Sequence, residues 1–377
     1  MRGGPRPHAA ARVVLGCAGA GPTEGAREGV DMKAGLVGYA RSGKTTLFNA
    51  LTGQHKGGST GRPQVNLGAI KVPDARIDAL TAIFKPRKIT YAEMRFVDVP
   101  GPAGKGTGLD ADSLRALAEV DAFCLVVRGF ASADGTPADP ERELRDFDAE
   151  LVLHDLAIVE KRLDRLRKEH NRGTGEYHEL ERLHGHLDQG LPLRTMTWSD
   201  AEEKELGHFA FLSRRPLLVV VNAGEEAAAA PPPPGVEAAA RERGAEVLSL
   251  CAAVEAEIAE LDPSEQPEFL ASLGLSEPAR ARFIRAAYHL FDLVSFLTVG
   301  EDEVRAWPTR RGDRAPRAAG RIHSDLERGF IRAEVVHYDD FIALGSEAKA
   351  RQEGKLRLEG KEYVVKDGDI LNIRFSV

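Results

Sequence analysis

The chain has 377 residues, of which 42% are hydrophobic and 29% charged, and its formal net charge at pH 7 is −7. This length and composition allow two or three domains with a substantial buried core, and they exclude wholesale disorder and a collagen-like repeat. The three cysteines are too few and too widely spaced for a disulfide framework or a zinc knuckle. The longest strongly apolar run, Leu217–Val221, is far shorter than the ~20 residues of a membrane-spanning helix, so we expect a soluble, cytoplasmic protein with no membrane partner.

Residues 1–31 differ in composition from the rest of the chain. They are rich in glycine, alanine, proline and arginine, and their one apolar cluster, Val13–Leu15, is too short for a secretory signal. Three acidic residues and the absence of serine argue against a transit peptide. We expect a disordered leader or a wrongly assigned start, with Met32 as the natural initiator.

From residue 33 onward, short apolar segments alternate with connections long enough for helices. A helix is expected to open at Thr45–Leu51, directly after the first apolar segment. The pattern predicts an α/β fold with a parallel sheet covered on both faces. The predicted strands are Ala34–Gly38, Met94–Asp98, Ala122–Val127, Pro216–Asn222 and Ala245–Ser249.

Between the third and fourth strands, leucines and valines follow the spacing of a coiled-coil seam. Apolar residues recur at intervals of 3 and 4 across 149–166, and again at Leu180, Leu183 and Leu187 beyond the turn-like segment 171–175. Two such arms predict an antiparallel helical hairpin inserted at 131–211, with two ordinary surface helices as the alternative. The first seam consists of Ala149, Val152, Leu156, Val159, Leu163 and Leu166.

The C-terminal third of the chain contains several further segments. Glu225–Gly235 is of low complexity and predicts a surface loop, and Pro267–Phe291 predicts a helical return. The remainder, 292–377, predicts a compact mixed domain whose last strands are Lys361–Val365 and Ile370–Val377. We therefore expect one domain over 32–291 and a second over 292–377.

The segment Gly38–Thr45 matches the phosphate-binding pattern G-x-x-x-x-G-K-[ST] completely. Its glycines let several backbone N–H groups point at one polyphosphate, and the following helix adds its positive end. Lys44 should reach the β- and γ-phosphates, and the Thr45 hydroxyl should bind Mg²⁺. The residues expected to line the phosphates are Gly38, Tyr39, Ala40, Arg41, Ser42, Gly43, Lys44, Thr45 and Thr46.

A second motif, Asp98-Val99-Pro100-Gly101, supplies the acidic partner that such a loop needs at the end of a neighbouring strand. Asp98 should help to hold Mg²⁺, and the Gly101 N–H should sense the γ-phosphate, which makes Lys44 and Gly101 the candidate catalytic groups. Ser59 or Thr60 could complete the magnesium shell from the first switch. A plain solvated loop at 56–61 is an equally good interpretation.

The base-binding loop follows the fourth strand. Asn222-Ala223-Gly224-Glu225 stands where guanine-specific proteins carry N-K-x-D, whose aspartate accepts two hydrogen bonds from guanine. The longer Glu225 and the loss of the lysine at Ala223 should weaken discrimination for guanine, so adenine becomes plausible and even preferred. Cys251 and Ala252 are expected to form the last nucleotide loop.

In this order, the motifs resemble the YchF subfamily of Obg-like P-loop NTPases over essentially 32–377. The most specific segments are Val72–Asp78, Asp148–Leu156, Ala318–Val335 and Glu347–Gly360, the last two resembling a TGS domain, a small β-grasp module. The resemblance implies a parallel P-loop NTPase sheet with an inserted antiparallel helical hairpin and a C-terminal β-grasp (TGS-like) domain. It also implies ATP binding at least as good as GTP binding, slow hydrolysis and association with ribosomes.

Several positions depart from the subfamily pattern. Ala40–Ser42 replace a typical Pro-Asn-Val, and the second switch after Gly101 is shorter than usual. Pro102 stands where other GTPases place a water-orienting glutamine, and Leu125 stands where many members carry a histidine. These changes leave nucleotide binding secure and put catalytic competence in question.

The leading hypothesis is a switch that binds and slowly hydrolyses ATP and possibly GTP, with Mg²⁺ as cofactor. The alternatives are a nucleotide-binding scaffold with little hydrolysis and a GTP-preferring GTPase of the translation-factor class; a P-loop kinase is disfavoured by the base loop and the C-terminal module. The arginine-rich stretch Arg305–Arg321, which surrounds a tryptophan, suits ribosome or RNA contact, with a solvated surface loop as the alternative. We expect a monomer.

Overall fold

The computed structural model describes residues 12–13, 32–53, 66–101, 108–132 and 134–376. The chain forms two compact units, one built from Met32–Ile70 with Arg95–Leu290, the other including Lys71–Met94 and Phe291–Val377. The predicted division into domains at 32–291 and 292–377 stays a prediction. No helix within the described ranges is long and apolar enough to cross a bilayer.

Thirteen strands lie within the described residues. They are β1 (Arg12–Val13), β2 (Lys33–Gly38), β3 (Asn66–Lys71), β4 (Lys88–Thr90), β5 (Glu93–Asp98), β6 (Ala122–Gly129), β7 (Leu217–Ala223), β8 (Glu246–Leu250), β9 (Leu293–Thr298), β10 (Glu303–Arg310), β11 (Phe330–His337), β12 (Arg357–Glu359) and β13 (Asp369–Phe375).

Fourteen α-helices connect or cover these strands, again counting described residues only. They are α1 (Lys44–Thr52), α2 (Ala75–Phe84), α3 (Ala111–Ala118), α4 (Pro140–Lys168), α5 (Gly175–Leu187), α6 (Asp200–Leu206), α7 (Pro234–Glu242), α8 (Ala252–Glu260), α9 (Gln266–Ser272), α10 (Ala279–Leu290), α11 (Ala315–Ile322), α12 (Ser324–Arg328), α13 (Tyr338–Leu344) and α14 (Glu347–Gln352).

The first sheet has six strands in the order β3-β5-β2-β6-β7-β8. The pairs β2–β5, β2–β6, β6–β7 and β7–β8 are all parallel, so that Leu36 lies opposite both Asp98 and Cys124. This confirms the predicted α/β fold class, and the five predicted strands agree with the observed ones to within two residues. β3 was not predicted, because its alternation of exposed and buried residues includes Gly68 and gives only a weak strand pattern.

Helices cover both faces of this parallel sheet. Side chains alternate along a strand, so Val37 and Leu125 face one side and join a core with Phe147 of α4. Phe96 faces the other side and packs against Phe283 of α10, with 5.3 Å between ring centroids. The continuous apolar runs in the sequence follow from this burial on both faces.

The inserted helical hairpin is present as α4 and α5. Val159 and Leu163 of α4 share one buried cluster with Leu180 and Leu183 of α5, which two independent surface helices would not do. Asp139 caps α4 by accepting a hydrogen bond from the Arg142 N–H at 3.2 Å. The predicted hairpin is therefore confirmed, and its seam follows the predicted a/d stripe from Val152 to Leu166. Ala149, also predicted for the seam, is exposed and does not belong to it.

The second sheet is mixed, with the order β12-β11-β13-β9-β10-β4. Pairs β11–β13 and β9–β10 are antiparallel, whereas β13–β9 and β10–β4 are parallel. Ala318 and Ile322 of α11 and Leu326 of α12 pack on this sheet against Phe296. A mixed sheet covered by helices agrees with the predicted β-grasp module.

Some local predictions for the C-terminal residues were wrong or incomplete. Lys361–Val365 is not a strand of the sheet, because β11 and β9 already occupy both sides of β13; Val364 forms only an isolated bridge with Arg314. The predicted helical return consists of two helices, α9 and α10.

Two residues of the leader and the whole low-complexity segment lie within the described residues. Arg12 and Val13 pair with β13 opposite Phe375 and Arg374, and the rest of the leader lies outside the described residues. In the low-complexity segment, a short 3₁₀ turn at Glu225–Ala227 precedes α7, which begins at Pro234.

Candidate nucleotide-binding site

Four loops meet at one edge of the parallel sheet. They follow the carboxyl ends of β2, β5, β7 and β8, and parallel strands place such ends side by side, where α/β proteins bind their ligands. All four loops carry sequence-predicted site residues. The structure therefore brings the phosphate, metal and base-binding motifs to a common edge.

The phosphate-binding loop connects β2 directly to α1. Gly43 has φ +86° at the N-cap of α1, a left-handed conformation that favours glycine. A Cβ atom at Gly43 would also collide with the side-chain nitrogen of Asn222. That nitrogen donates a hydrogen bond to the Ser42 carbonyl oxygen at 2.8 Å, so the base loop directly braces the phosphate loop.

Lys44 pairs with Asp98, the residue predicted as its acidic partner. The Lys44 Nζ contacts the Asp98 carboxylate and donates to the Val99 carbonyl oxygen at 2.9 Å. Both side chains of the ion pair are only 15% exposed, whereas Thr45 at the start of α1 is exposed. A lysine, a carboxylate and a hydroxyl thus lie at the same sheet edge.

The D-x-x-G motif packs directly on the phosphate loop. A Cβ atom at Gly101 would collide with the carbonyl oxygen of Gly38, and the Val99 N–H donates to the Leu36 carbonyl oxygen at 3.0 Å. Only glycine allows this approach, so the two motifs are in backbone contact. Ser59, Thr60 and Pro102 lie outside the described residues.

Asn222 connects three loops at the base end of the site. It is 4% exposed, and besides bracing Ser42 it accepts a hydrogen bond from the Ala252 N–H at 2.9 Å. Cys251 is buried just before α8, and burial raises the pKa of its thiol, with a smaller contribution from Glu225 and its neighbour. The thiol is therefore neutral at physiological pH.

The acidic part of the base loop is exposed. Glu225 and Glu226 are both exposed, whereas Ala223 is only 7% exposed. The Glu226 carboxylate folds over Gly224, where an added Cβ atom would collide with both carboxylate oxygens. The sequence predicted no role for Glu226. The only feature that could have pointed to this position is that two acidic residues follow one another there.

The Tyr39 side chain contacts α4 although its backbone belongs to the phosphate loop. The ring packs against the core that α4 helps to form. Burial raises the pKa of the Tyr39 phenol, and the carboxylates of Asp146, Glu143 and Glu150 on α4 raise it further. The first helix of the hairpin therefore lies next to the phosphate loop, a contact that local sequence cannot reveal.

Acidic residues in the segment Asp148–Leu156 hold α4 to the parallel-sheet unit. Asp148 is fully buried and pairs with Arg194 and Arg243. Asp155 is also fully buried and accepts hydrogen bonds from the backbone N–H groups of Leu212 (3.0 Å) and Ser213 (2.7 Å). The partners named here lie between 46 and 95 residues away, so the sequence could not identify these roles.

Glu150 of α4 contacts the segment that follows the D-x-x-G motif. It accepts a hydrogen bond from the Leu109 N–H at 3.4 Å. Between Gly101 and Leu109, residues 102–107 lie outside the described part of the chain. Helix α4 therefore contacts both the phosphate loop and the end of the second switch.

The tryptophan of the arginine-rich stretch lies in the core of its unit. Trp307 is 5% exposed, packs against Phe296 and donates through its indole nitrogen to the Thr298 hydroxyl at 2.9 Å. The Arg305 guanidinium covers the same ring at 3.7 Å. Because Trp307 belongs to the core, its ring is not available to stack on an unpaired base.

The arginines of this stretch are mostly paired within their own unit. Asp313 pairs with Arg317 and Arg321, and Arg314 pairs with Glu362. Arg314 and Arg317 nevertheless remain exposed to solvent. The stretch therefore combines buried residues of β10 and α11 with ion-paired arginines, some of which are exposed.

Two family models match the chain. A model described as a 50S ribosome-binding GTPase matches residues 33–161, which include the phosphate-binding loop and the D-x-x-G motif. The model YchF-GTPase_C, described as a protein of unknown function (DUF933), matches residues 293–376.

Similar proteins cover nearly the whole chain. The ribosome-binding ATPase YchF of Bacillus subtilis (strain 168) is 39% identical over 365 residues, which cover 92% of this chain and 100% of the relative. The ribosome-binding ATPase YchF of Haemophilus influenzae is 40% identical over 363 residues, covering 92% and 99%. The solved structure of the Schizosaccharomyces pombe YchF GTPase is 30% identical, with a TM-score of 0.80 over 93% of this chain and 99% of that one. These similarities confirm the resemblance drawn from the motifs, and the chain belongs to the YchF family of P-loop NTPases.

Proposed function

We propose that this protein is a nucleotide-dependent switch that binds ATP, and also GTP, and hydrolyses the bound triphosphate slowly. The observation that carries the proposal is the direct packing of Gly101 on Gly38 next to the Lys44–Asp98 pair. A triphosphate in the loop would contact both motifs, so its γ-phosphate could bias the second switch. Lys44 and Gly101 are the groups proposed to act on that phosphate.

Mg²⁺ is the proposed cofactor, held by the Thr45 hydroxyl and the Asp98 carboxylate. Both are oxygen donors, the ligand type that Mg²⁺ prefers, and Thr45 is exposed at the start of α1. Bound Mg²⁺ would neutralise charge on the β- and γ-phosphates. Lys44 would then leave Asp98 for the phosphates, with Thr60 a further possible ligand from the first switch.

The base end supports ATP binding at least as good as GTP binding. Guanine recognition needs a carboxylate held at a fixed distance from N1–H and N2–H₂. Glu225 is exposed and longer by one methylene than the aspartate of guanine-specific proteins. Asn222, Cys251 and Ala252 would border the base through neutral groups, which an adenine amino group can meet.

The ribosome is the proposed macromolecular partner. Relatives at 38–40% identity carry the name ribosome-binding ATPase, and the C-terminal unit offers exposed guanidinium groups at Arg314 and Arg317 that suit RNA phosphates. We propose that the protein acts in the cytoplasm as a monomer, with the contact made by residues 292–377. Without Trp307 as a stacking platform, that contact would rest on phosphates and not on unpaired bases.

Single-turnover phosphate release with and without ribosomes tests this proposal. A switch releases phosphate from bound ATP, and ribosomes change the rate. A second candidate, a scaffold that hydrolyses little, is favoured by the fully buried apolar Leu125 at the position where many members carry histidine. Tight ATP binding with no phosphate release under either condition would favour the scaffold.

A further inference from the structure

Arg41 occupies an unusual backbone position inside the phosphate-binding loop. Its φ is +66°, in the left-handed region where glycine is unstrained and where asparagine is the commonest other residue. The side chain is exposed at the ligand edge of the sheet. A long charged residue held in a conformation that costs free energy points to a function at that place.

The charge surroundings of Arg41 leave its guanidinium available. Within the described residues it forms no ion pair or hydrogen bond, and the acid it influences is Asp134. Hydrogen bonds from Ser132 and Thr136 lower the pKa of the Asp134 carboxyl, and the charge of Arg41 lowers it further. Asp134 therefore stays ionised and attracts Arg41 without a close contact.

A buried arginine binds the backbone on both sides of Asp134. The loop that carries Asp134 follows β6, the neighbour of β2, so this loop and the phosphate loop leave the same sheet edge. The Arg128 guanidinium, in a residue only 8% exposed, donates to the carbonyl oxygens of Phe130 (3.2 Å), Thr136 (3.1 Å) and Pro137 (3.1 Å). Asp134 is thus an exposed anion near Arg41, from which the guanidinium can turn toward a bound phosphate.

Hydrolysis of the bound triphosphate would be accelerated by a cation at this place. The water oxygen bonds to the γ-phosphorus while the bond from that phosphorus to the β–γ bridging oxygen breaks, and the electron pair stays on the bridging oxygen of the leaving diphosphate. The proton of the water ends on the released phosphate or in solvent. Charge grows on the bridging oxygen in the transition state, and a guanidinium there lowers the barrier.

We propose that Arg41 is an arginine supplied in cis that contacts the β–γ bridging region of the bound triphosphate and stabilises the transition state of its hydrolysis. The inference rests on the proposed function of the site. Leu125 replaces a histidine of many family members, and Pro102 replaces the water-orienting glutamine of other GTPases. A catalytic Arg41 explains how the chain can hydrolyse nucleotide without those side chains. Because Arg41 would bind the transition state more strongly than the bound triphosphate, its loss should slow the chemical step more than it weakens binding of ATP.

Arg41→Ala, Arg41→Lys and the control Arg115→Ala test the proposal. Arg115 is an exposed arginine of the same unit, on α3, paired with Asp112. We expect Arg41→Ala to lower the single-turnover rate of ATP hydrolysis about 10²-fold while the calorimetric Kd for ATP changes less than about threefold. Arg41→Lys should recover less than about a tenth of the rate, because an ammonium lacks the bidentate fork. Arg115→Ala should match the wild type in both the single-turnover rate and the Kd for ATP.

Two further measurements distinguish transition-state stabilisation from a structural role. ADP with aluminium fluoride should bind the wild type more tightly than ADP alone, and Arg41→Ala should lose that gain while keeping its ADP affinity. Asp134→Asn should leave the rate unchanged or raised, because it frees Arg41. An equal fall of rate in Asp134→Asn and Arg41→Ala would overturn the proposal in favour of loop positioning.

The remaining outcomes are also decisive. An unchanged hydrolysis rate in Arg41→Ala would overturn the inference and leave the proposed function standing. A loss of ATP affinity as large as the loss of rate would assign Arg41 to ground-state binding and likewise overturn it. Absence of hydrolysis by the wild type, despite tight ATP binding, would contradict hydrolysis itself together with this inference.

Discussion

The two ends of the candidate nucleotide site differ in how they are built. At the phosphate end, Gly43 and Gly101 lie so close to neighbouring loops that a methyl group at either would collide with Asn222 or with the Gly38 carbonyl. At the base end, Glu225 and Glu226 are exposed side chains on a short 3₁₀ turn. The phosphate end is thus defined by backbone in tight contact, and the base end by side chains that can change without disturbing the fold.

This difference has a consequence for how mutations should act. Substitutions at the phosphate end should remove affinity for every nucleotide, because phosphates are common to all of them. Substitutions of the exposed residues Glu225 and Glu226 at the base end should change the ratio of affinities for ATP and GTP with little effect on stability. Asn222 contacts both ends and should show an intermediate behaviour.

Gly43→Ala should have the largest effect. The added methyl group requires a strained φ and displaces the Asn222 amide, so we expect affinity for both ATP and GTP to fall about 10²-fold. Calorimetric titration with each nucleotide measures the loss. Gly53→Ala is the matched control, because Gly53 has φ +64° at the other end of α1 with open space around it. Equal losses of affinity in Gly43→Ala and Gly53→Ala would show that backbone strain alone weakens nucleotide binding, without the collision at Asn222.

Asn222→Ala should weaken both ends together. It leaves the Ser42 carbonyl and the Ala252 N–H without their partner, each at a cost of about 1–3 kcal/mol when buried. We expect a lower free energy of unfolding in urea titration and about tenfold weaker binding of ATP and GTP alike. A change confined to one nucleotide would show that Asn222 contacts the base and does not act as a brace.

Ala223→Lys combined with Glu225→Asp should shift the ratio of affinities for ATP and GTP. The change restores the N-K-x-D pattern of guanine-specific proteins, and we expect preference to move toward GTP by about 1–3 kcal/mol, the scale of one or two hydrogen bonds to a charged group. Competition between the two nucleotides measures the shift. An unchanged ratio in this double variant would show that the loop does not select the base.

Glu226→Gln should have the smallest effect. Its carboxylate folds over Gly224 and is exposed, so removing the charge should change the ATP to GTP ratio by less than about 0.5 kcal/mol. The same competition experiment applies. A shift as large as that of the double variant would transfer the specificity role from Glu225 to Glu226.

Local features of the site were predictable from the sequence. The phosphate loop, its strand and its helix are contiguous, and buried parallel strands give continuous apolar runs, so Gly38–Thr45 and β2, β6 and β7 could be located correctly. The hairpin was predictable because its seam repeats every three or four residues. These features depend on near neighbours in the chain.

Long-range features were not predictable. Asp155 binds backbone groups 57 and 58 residues away, and carboxylates of α4 raise the pKa of the Tyr39 phenol. The burial of Trp307 was not predictable for the same reason, because composition does not show that its ring packs against Phe296. Contacts of this kind are fixed by the tertiary fold and carry no local pattern.

Calorimetric titration of the wild type and of Lys44→Ala with ATP and with GTP, in the presence of Mg²⁺, tests the central claim most directly. The Lys44 side chain lies at the ligand edge and adds little to the core, so the variant should keep its fold while losing tight binding of both triphosphates. The wild type should bind ATP at least as tightly as GTP. Undiminished affinity in Lys44→Ala, or a tenfold or greater preference of the wild type for GTP, would contradict the account.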